Sequence, residues 1–260
     1  MRYKIILSLC LMYLSMHTML AQHNEYKASI HISSKGDSLP YRQLDPIIIE
    51  PSKKYPLVLF LHGAGERGND NQAQLIHGAM MFTNPVNREK FPAFVLFPQC
   101  PKDNYWAMPK RPSSFAIDCP FPEDAPPSNS MVLVKELLDR TIQQYPIDKQ
   151  RIYIIGLSMG GMGAFDMVCR NPDIFAAAIP ICGGVNIQRL RYLKSNTKFR
   201  IFHGDADDIV PVKFSRKAYK ILKEKGMQVE YFEFPGINHG SWVPTFNKED
   251  FLTWLFQQRK

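Results

Sequence analysis

The fold is decided by residues 151–170, which have the sequence RIYIIGLSMGGMGAFDMVCR. The β-branched run at 151–155 predicts a buried strand, and the pattern that runs on to residue 170 predicts a helix. Between them lies Gly156-Leu157-Ser158-Met159-Gly160, a G-x-S-x-G motif. A serine on such a strand-to-helix turn presents its Oγ above the sheet edge, where glycines remove Cβ atoms that would clash. The motif predicts a nucleophilic serine, with a glycine-rich structural turn as the alternative.

The composition is that of an ordinary globular protein. The chain has 260 residues, of which 45% are hydrophobic and 22% charged, enough for one sizeable α/β domain. Its net charge is +8, but the positive residues are scattered, and no basic run is interleaved with aromatic residues. The charge pattern therefore gives no reason to expect a nucleic-acid partner.

The N-terminus resembles a secretory signal peptide. Arg2 and Lys4 form a short positive region, residues 5–20 are mostly apolar, and Ala21 supplies a small residue at the cut. His17 and several serines and threonines interrupt the apolar run, which argues against a stable membrane span. We expect a signal peptide at 1–21, a catalytic domain at 22–260, and an exported protein, periplasmic or secreted.

The cysteines give no sign of a metal site. Cys100 and Cys119 flank one loop, so an exported protein could bridge them, and this pairing is left open. Cys169 and Cys182 are expected to be small core residues. Because the sequence has neither a C-x-x-C nor an H-E-x-x-H motif, no metal and no cofactor is expected.

Strands alternate with helices from residue 57 onwards, which predicts a mainly parallel twisted sheet with helices on both faces. Two further strands are expected near the N-terminus, at 26–34 and 39–44. The later strands are expected at 56–61, 93–98, 151–155, 174–182, 198–203 and 228–234. Besides the helix that ends at 170, helices are expected at 71–81, 131–145, 213–225 and 249–260. Only about a dozen residues separate Gly184 from the strand at 198, so no cap domain is expected there.

The least regular segment, residues 99–130, contains seven prolines and follows a predicted parallel strand. A long loop at that edge of a sheet is usually functional. Tyr105 and Trp106 are candidates for the wall of an acyl or sugar pocket, with equal weight given to aromatic residues that only pin the loop. Gln99 and Trp242 are pocket candidates from their position alone.

A serine nucleophile needs a histidine base and a carboxylate that orients the base. Enzymes with this serine turn order them along the chain as serine, acid, histidine. His239 lies in a loop before the last helix and is the histidine that follows the acid-bearing strand, so it is the predicted base. The alternative is that His239 is only a histidine of a surface loop. His62 belongs to a glycine turn, and His203 ends a buried strand, where a core histidine is expected.

Three carboxylates compete for the role of the acid, and they cannot all be buried unpaired. They are Asp205, Asp207 and Asp208, which follow His203 directly in the sequence HGDADDIVP. The residues alone do not choose between them.

Five motifs occur in the order LVLFLHGAGERG, GLSMGGMGAF, PICGG, HGDADDIVP and NHGSW. On these motifs, residues 38–259 resemble the α/β-hydrolase superfamily, and within it exported bacterial esterases of the feruloyl and acetyl-xylan type. These esterases are related to the dienelactone-hydrolase and predicted-peptidase groups. The resemblance implies that Asp207 is the acid beside Ser158 and His239. It also implies that the backbone N–H groups of Ala64 and Met159 form an oxyanion hole.

The expected function is that of a serine carboxylesterase acting through an acyl-enzyme, without a cofactor. It would remove acyl groups such as feruloyl or acetyl from polysaccharides or their fragments. Small-molecule or glycan-linked esters are the expected substrates. The alternatives are a serine peptidase, a phospholipase or thioesterase on the same scaffold, and a non-catalytic binding protein. The sequence does not give the oligomeric state.

Overall fold

The computed structural model describes residues 25–108 and 125–260. The signal peptide expected at 1–21 and residues 109–124 of the proline-rich segment, which include Cys119, lie outside the described residues. In the described part of the chain, no helix has the length and apolarity needed to cross a membrane.

An eight-stranded sheet forms the centre of the described residues, in the order β1-β2-β4-β3-β5-β6-β7-β8. β1 and β2 pair antiparallel with each other, and β2 pairs antiparallel with β4. All the other pairs are parallel. The strands are β1 (Lys27–Ile32), β2 (Ser38–Leu44), β3 (Tyr55–Leu61), β4 (Phe94–Pro98), β5 (Ile147–Leu157), β6 (Ala177–Ile181), β7 (Lys198–Gly204) and β8 (Val229–Phe234).

Helices cover both faces of this sheet. They are α1 (Ala79–Thr83), α2 (Pro85–Lys90), α3 (Asn129–Gln144), α4 (Met159–Arg170), α5 (Ile187–Tyr192), α6 (Lys213–Glu224), α7 (Trp242–Phe246) and α8 (Phe251–Gln257). Leu57, Leu59 and Leu61 of β3 share one core cluster with residues of α3, α4 and α6. Val58 and Phe60 share the other cluster with residues of α1 and α8. The side chains of a strand alternate between faces, so β3, fully buried along its length, joins the two cores.

The expected α/β-hydrolase fold is confirmed, and the expected strands match the observed ones closely. β5 is longer than expected because it starts at Ile147, directly after Pro146. Between β6 and β7 the chain forms only the six-residue helix α5, where a cap domain would otherwise be inserted.

The single helix expected at 71–81 is wrong. The chain instead forms a 3₁₀ turn (Ala73–Leu75) and then α1. Gly78 separates them with a left-handed φ of 81°, and a Cβ on it would lie 2.6 Å from the Phe60 ring. Leu75, Ala79 and Phe82 all reach the core, but the apolar residues of this segment do not reveal the glycine break.

Candidate active site

Ser158 lies in the tight turn between β5 and α4, with φ 53° and ψ −115°. A non-glycine residue with this backbone costs about 1–3 kcal/mol, and such strain clusters at functional sites. The two glycines of the motif are required by packing. A Cβ on Gly156 would lie 2.0 Å from the Gly160 carbonyl oxygen, and a Cβ on Gly160 would lie 1.9 Å from the Leu61 carbonyl oxygen. Strand β3, strand β5 and helix α4 therefore meet at van der Waals contact beneath the serine.

Ser158, His239 and Asp207 form one continuous chain of hydrogen bonds. His239 Nε2 lies 2.8 Å from Ser158 Oγ, and His239 Nδ1 lies 2.8 Å from Asp207 Oδ2. A carboxylate only accepts hydrogen bonds, so the neutral imidazole carries its proton on Nδ1. Its Nε2 is then free to accept the Ser158 hydroxyl proton. The structure brings together the three side chains that the sequence predicts as nucleophile, base and acid.

The carboxylate of Asp207 is fully buried. Burial alone would raise its pKa, but hydrogen bonds from His203, His239 and the Val210 N–H outweigh that effect and hold the pKa well below its usual range. The other carboxylate oxygen, Oδ1, accepts the N–H groups of Ile209 and Val210 at 2.9 and 2.8 Å. Asp207 is therefore ionised and fixed in orientation by the turn that follows β7.

His203 contacts the acid, a role that the sequence analysis did not assign. Its Nε2 lies 3.1 Å from Asp207 Oδ2 and 2.9 Å from the Val210 carbonyl oxygen, both acceptors, so Nε2 carries the proton. Its Nδ1 lies 2.7 Å from Ser215 Oγ, which then donates. The one available signal was the four-residue spacing between His203 and Asp207.

The other candidates for acid and base are engaged elsewhere. Asp205 and Asp208 are exposed, and Asp205 accepts the Gly236 N–H at 2.6 Å. His62 is buried, with Nδ1 2.6 Å from the Gly63 carbonyl oxygen and Nε2 accepting from Cys100 N–H at 3.0 Å. Burial lowers the pKa of His62 to about 4, so this imidazole is neutral and structural.

The loops that carry the acid and the histidine are packed against each other. A Cβ on Gly204 would lie 2.1 Å from the Ile237 carbonyl oxygen and 2.6 Å from that of Asn238. The N–H of Ala206 donates to the Ile237 carbonyl at 3.1 Å. The glycine after β7 therefore allows the His239 loop to approach Asp207.

Ala64 and Met159 each lie at the start of a helix near the serine. Ala64 begins a 3₁₀ turn (Ala64–Glu66) directly after β3, and Met159 is the first residue of α4. The first N–H groups of a helix have no acceptor within the helix. Gly63, before Ala64, approaches the serine closely, since a Cβ on it would lie 3.7 Å from Ser158 Cβ. Both N–H groups are thus near the serine, and their role in an oxyanion hole stays a prediction.

Two of the predicted pocket residues are not placed to contact a substrate. Trp106 is completely buried, and its indole N–H donates to the His62 carbonyl at 3.0 Å. Gln99 is also completely buried, where it accepts the Asn71 N–H at 2.7 Å and donates to Asp70 at 2.9 Å. Both side chains are buried and their polar groups are already hydrogen-bonded, so neither is available to a ligand. Both predictions are corrected: these residues hold the loops around the site.

Two further aromatic residues, Tyr105 and Trp242, differ in their burial. Tyr105 is buried, with the Arg67 guanidinium 5.6 Å from its ring centroid, so it belongs to the loop anchor. Trp242 is half-buried beside the base, with its ring 5.6 Å from that of His239 at an angle of 90°. Trp242 remains a candidate for substrate contact.

Cys182 ends β6 next to the site, with a left-handed φ of 39°. Its Sγ and the donor atoms of Asp207 and His239 lie within 4.8 Å of one another, the spacing of a possible metal site. However, burial raises the pKa of the Cys182 thiol to about 12, and the other two groups are engaged in hydrogen bonds. These side chains fit a hydrogen-bonded triad better than a metal centre.

The two loop cysteines remain an open question. Cys100 is buried, with its Sγ 3.5 Å from Ser130 Oγ. Cys119 lies outside the residues that the structure describes, so the suggested disulfide stays an expectation.

A family model described as phospholipase/carboxylesterase matches residues 44–253, which include all of the strands from β3 onwards. The chain belongs to this phospholipase/carboxylesterase family. With relatives named carboxylesterase, thioesterase and lysophospholipase, it is a serine hydrolase of the carboxylesterase type.

Individual relatives of this phospholipase/carboxylesterase chain are similar over most of its length. Acyl-protein thioesterase 1 of Neurospora crassa is 28% identical, over 75% of this chain and 85% of that protein. Lysophospholipase-like protein 1 of Mus musculus is 24% identical, over 74% and 83%. A solved thermostable esterase is 36% identical with a TM-score of 0.84; the match covers 92% of this chain and 64% of that one. The chain thus spans less than two thirds of that esterase.

Proposed function

We propose that this protein hydrolyses carboxylic esters through an acyl-enzyme on Ser158. The observation that carries the proposal is the hydrogen-bond chain Ser158–His239–Asp207, with 2.8 Å at each link. The strained serine turn supports it, because the turn presents the hydroxyl at the N-terminus of α4.

The geometry suggests how each group acts. As Ser158 Oγ attacks the ester carbonyl, His239 Nε2 takes the hydroxyl proton and later gives it to the leaving alcohol. Asp207 stabilises the imidazolium that forms in between. The N–H groups of Met159 and Ala64 would hold the oxyanion, and losing one such donor typically costs about 3 kcal/mol in activation free energy. Water then repeats the cycle on the acyl-enzyme.

We further propose that the acyl groups are feruloyl or acetyl groups on polysaccharides or their fragments. The support is the short β6–β7 connection, which carries only α5 and leaves that side of the site without a cap domain. An open site suits an ester that hangs from a bulky chain. Export through the predicted signal peptide would bring the enzyme to such substrates, and a mature N-terminus found by mass spectrometry at Met1 would contradict export.

A second candidate is hydrolysis of acyl thioesters or lysophospholipids. It is favoured by the relatives whose names describe them as acyl-protein thioesterase and lysophospholipase-like protein, each matching about three quarters of this chain. The same three side chains would carry out either reaction, since only the leaving group differs.

Purified enzyme and Ser158→Ala should be compared on p-nitrophenyl acetate, methyl ferulate, acetylated xylan, a palmitoyl thioester, a lysophospholipid and a peptide amide. We expect wild-type turnover of p-nitrophenyl acetate and its loss in Ser158→Ala. A higher kcat/KM on the ferulate or xylan supports the first candidate. A higher value on the thioester or lysophospholipid selects the second, and activity on the peptide alone would overturn both.

A further inference from the structure

Glu66 places an unsatisfied carboxylate oxygen close to the reactive serine. Its side chain is only 12% exposed, and Oε2 is buried with no hydrogen-bond partner among the described residues. The position that a Cβ on Gly63 would occupy lies 3.0 Å from this Oε2 and 3.7 Å from Ser158 Cβ. The oxygen is therefore a near neighbour of the serine, on the same loop as Ala64.

Within residues 25–108 and 125–260, no cationic side chain lies within hydrogen-bond distance of this carboxylate. His77 Nε2 lies 3.8 Å from Glu66 Oε1, which is beyond hydrogen-bond distance. Arg67, the next residue, is turned to other partners, since it donates to the backbone carbonyls of Ala64, Lys102 and Asn104. The turn itself is fixed, because Gln99 donates to the Glu66 carbonyl at 3.2 Å.

The surroundings connect Glu66 to the base. The His77 ring lies 5.3 Å from the Trp242 ring, which in turn lies 5.6 Å from the His239 ring. Glu66, His77 and Trp242 thus form a row of neighbouring side chains that leads to His239. We name these three residues the Glu66 subsite.

A buried carboxylate oxygen without a donor is unfavourable, and such groups in native structures usually have a functional reason. Here the negative charge would also oppose an oxyanion forming nearby. A hydrogen-bond donor on the substrate would satisfy this oxygen and weaken its repulsion of the oxyanion.

We propose that the Glu66 subsite accepts a hydrogen bond from a hydroxyl group next to the ester bond of the substrate. The inference rests on the proposed ester hydrolysis and narrows its substrates to partial esters of polyols. Two sources supply this chemistry, an acylated sugar with a free neighbouring hydroxyl and a monoacylated glycerol.

The test compares 2-hydroxyethyl acetate with 2-methoxyethyl acetate, which differ in the donor. We expect wild-type kcat/KM to favour the hydroxyl ester about ten- to hundredfold, the usual effect of a hydrogen bond to a charged group. In Glu66→Ala the ratio should fall to about one. Glu249→Gln, which changes an exposed carboxylate far along the chain, is the matched control and should keep the wild-type ratio. Melting temperatures show whether each variant is folded.

The outcomes separate the two proposals. If wild type hydrolyses both acetates equally, or if Glu66→Ala keeps the preference, the subsite is overturned while ester hydrolysis stands. If wild type hydrolyses neither acetate nor p-nitrophenyl acetate, the proposed function itself fails. With the preference established, a xyloside monoacetate and a monoacylglycerol identify the source of the hydroxyl, and rejection of both would overturn the assignment to polyol esters.

Discussion

His203 and His239 both contact Oδ2 of Asp207, at 3.1 and 2.8 Å. The acid is thus held by a second imidazole, which is itself fixed by Ser215 and the Val210 carbonyl. His203 is therefore a positioning residue that acts through Asp207. A carboxylate with one imidazole removed has more freedom to rotate away from His239.

We expect His203→Phe to lower kcat about tenfold or more with KM nearly unchanged, because hydrogen bonds to charged groups contribute about 1.5–3 kcal/mol. The acid limb of the pH–rate profile should also move to higher pH. Without the hydrogen bond from His203, the negative charge of Asp207 acts more strongly on His239 and favours its protonated form. His203→Gln keeps an N–H donor and should retain more activity. Equal losses in both variants with an unmoved profile would mean that His203 is only a packing residue.

The three aspartates after β7 can be separated by activity. Asp207→Asn should reduce kcat about 10⁴-fold with the fold intact, because the amide no longer selects the imidazole tautomer that accepts the serine proton. Asp205→Asn and Asp208→Asn alter exposed neighbours and serve as controls. Steady-state kinetics on p-nitrophenyl acetate measure all three, and a comparable loss in either control would assign the acid differently.

Asp207 also links stability to pH. Its pKa in the folded state lies below that of an unfolded aspartate, about 3.9, so the unfolded chain binds more protons in this range. Its stabilisation is present above about pH 4 and is lost as the pH falls below that value. When urea unfolding is measured at several values between pH 5 and pH 3, the unfolding free energy should depend less steeply on pH in Asp207→Asn than in wild type. An unchanged slope would show that Asp207 is not the group involved, and Asp208→Asn reports the effect of removing an exposed carboxylate.

The packing beneath the serine predicts that alanine substitutions at Gly160 and Gly65 differ strongly in their effect on stability. In Gly160→Ala, the new Cβ would lie 1.9 Å from the Leu61 carbonyl oxygen, so β3 and α4 must separate. We expect a loss of about 3 kcal/mol or more in the free energy of unfolding. Gly65→Ala is the control, because a Cβ there meets nothing within 4 Å. Chemical denaturation measures both, and similar stabilities would contradict the observed packing.

The strain at Ser158 predicts a gain in stability when function is removed. Glycine adopts a φ of 53° without steric cost, so Ser158→Gly should raise the unfolding free energy by about 1 kcal/mol while abolishing ester hydrolysis. Ser158→Ala removes the same hydroxyl but keeps the Cβ, so it should lack most of the gain. A Ser158→Gly variant no more stable than Ser158→Ala would show that the turn is relaxed.

The sequence predicted the fold well because β3 and the second half of β5 are apolar runs, each followed by a glycine motif. It indicated Ser158, His239 and a group of three aspartates, because their loops follow different strands that end at the same edge of a parallel sheet. Only the resemblance to α/β-hydrolases selected Asp207 among the three. The sequence did not predict which residues pack against each other around the site. Trp106 and Gln99 look like pocket residues in a long loop, but their burial depends on contacts with His62 and Asn71, which are distant in sequence.

Local conformations were also hidden from the sequence. The break at Gly78 depends on the Phe60 ring, which comes from a different strand. Helix α2 begins at Asn84, whose side chain accepts the N–H groups of Val86 and Asn87, a capping signal that the sequence analysis did not use. The role of Glu66 needed the distances around Gly63, which no motif supplies.

The close approach of Gly204 to the Ile237 carbonyl has a consequence for dynamics. The two loops are hydrogen-bonded through Ala206 N–H, and Asp205 accepts a bond from Gly236 N–H, so we expect them to open as one cooperative unit on heating. Asp207 and His239 would then leave Ser158 together, in a subglobal opening that spares β3 and β5. Amide exchange in the two loops should therefore accelerate at a single temperature, which marks the onset of thermal inactivation while the central strands remain protected.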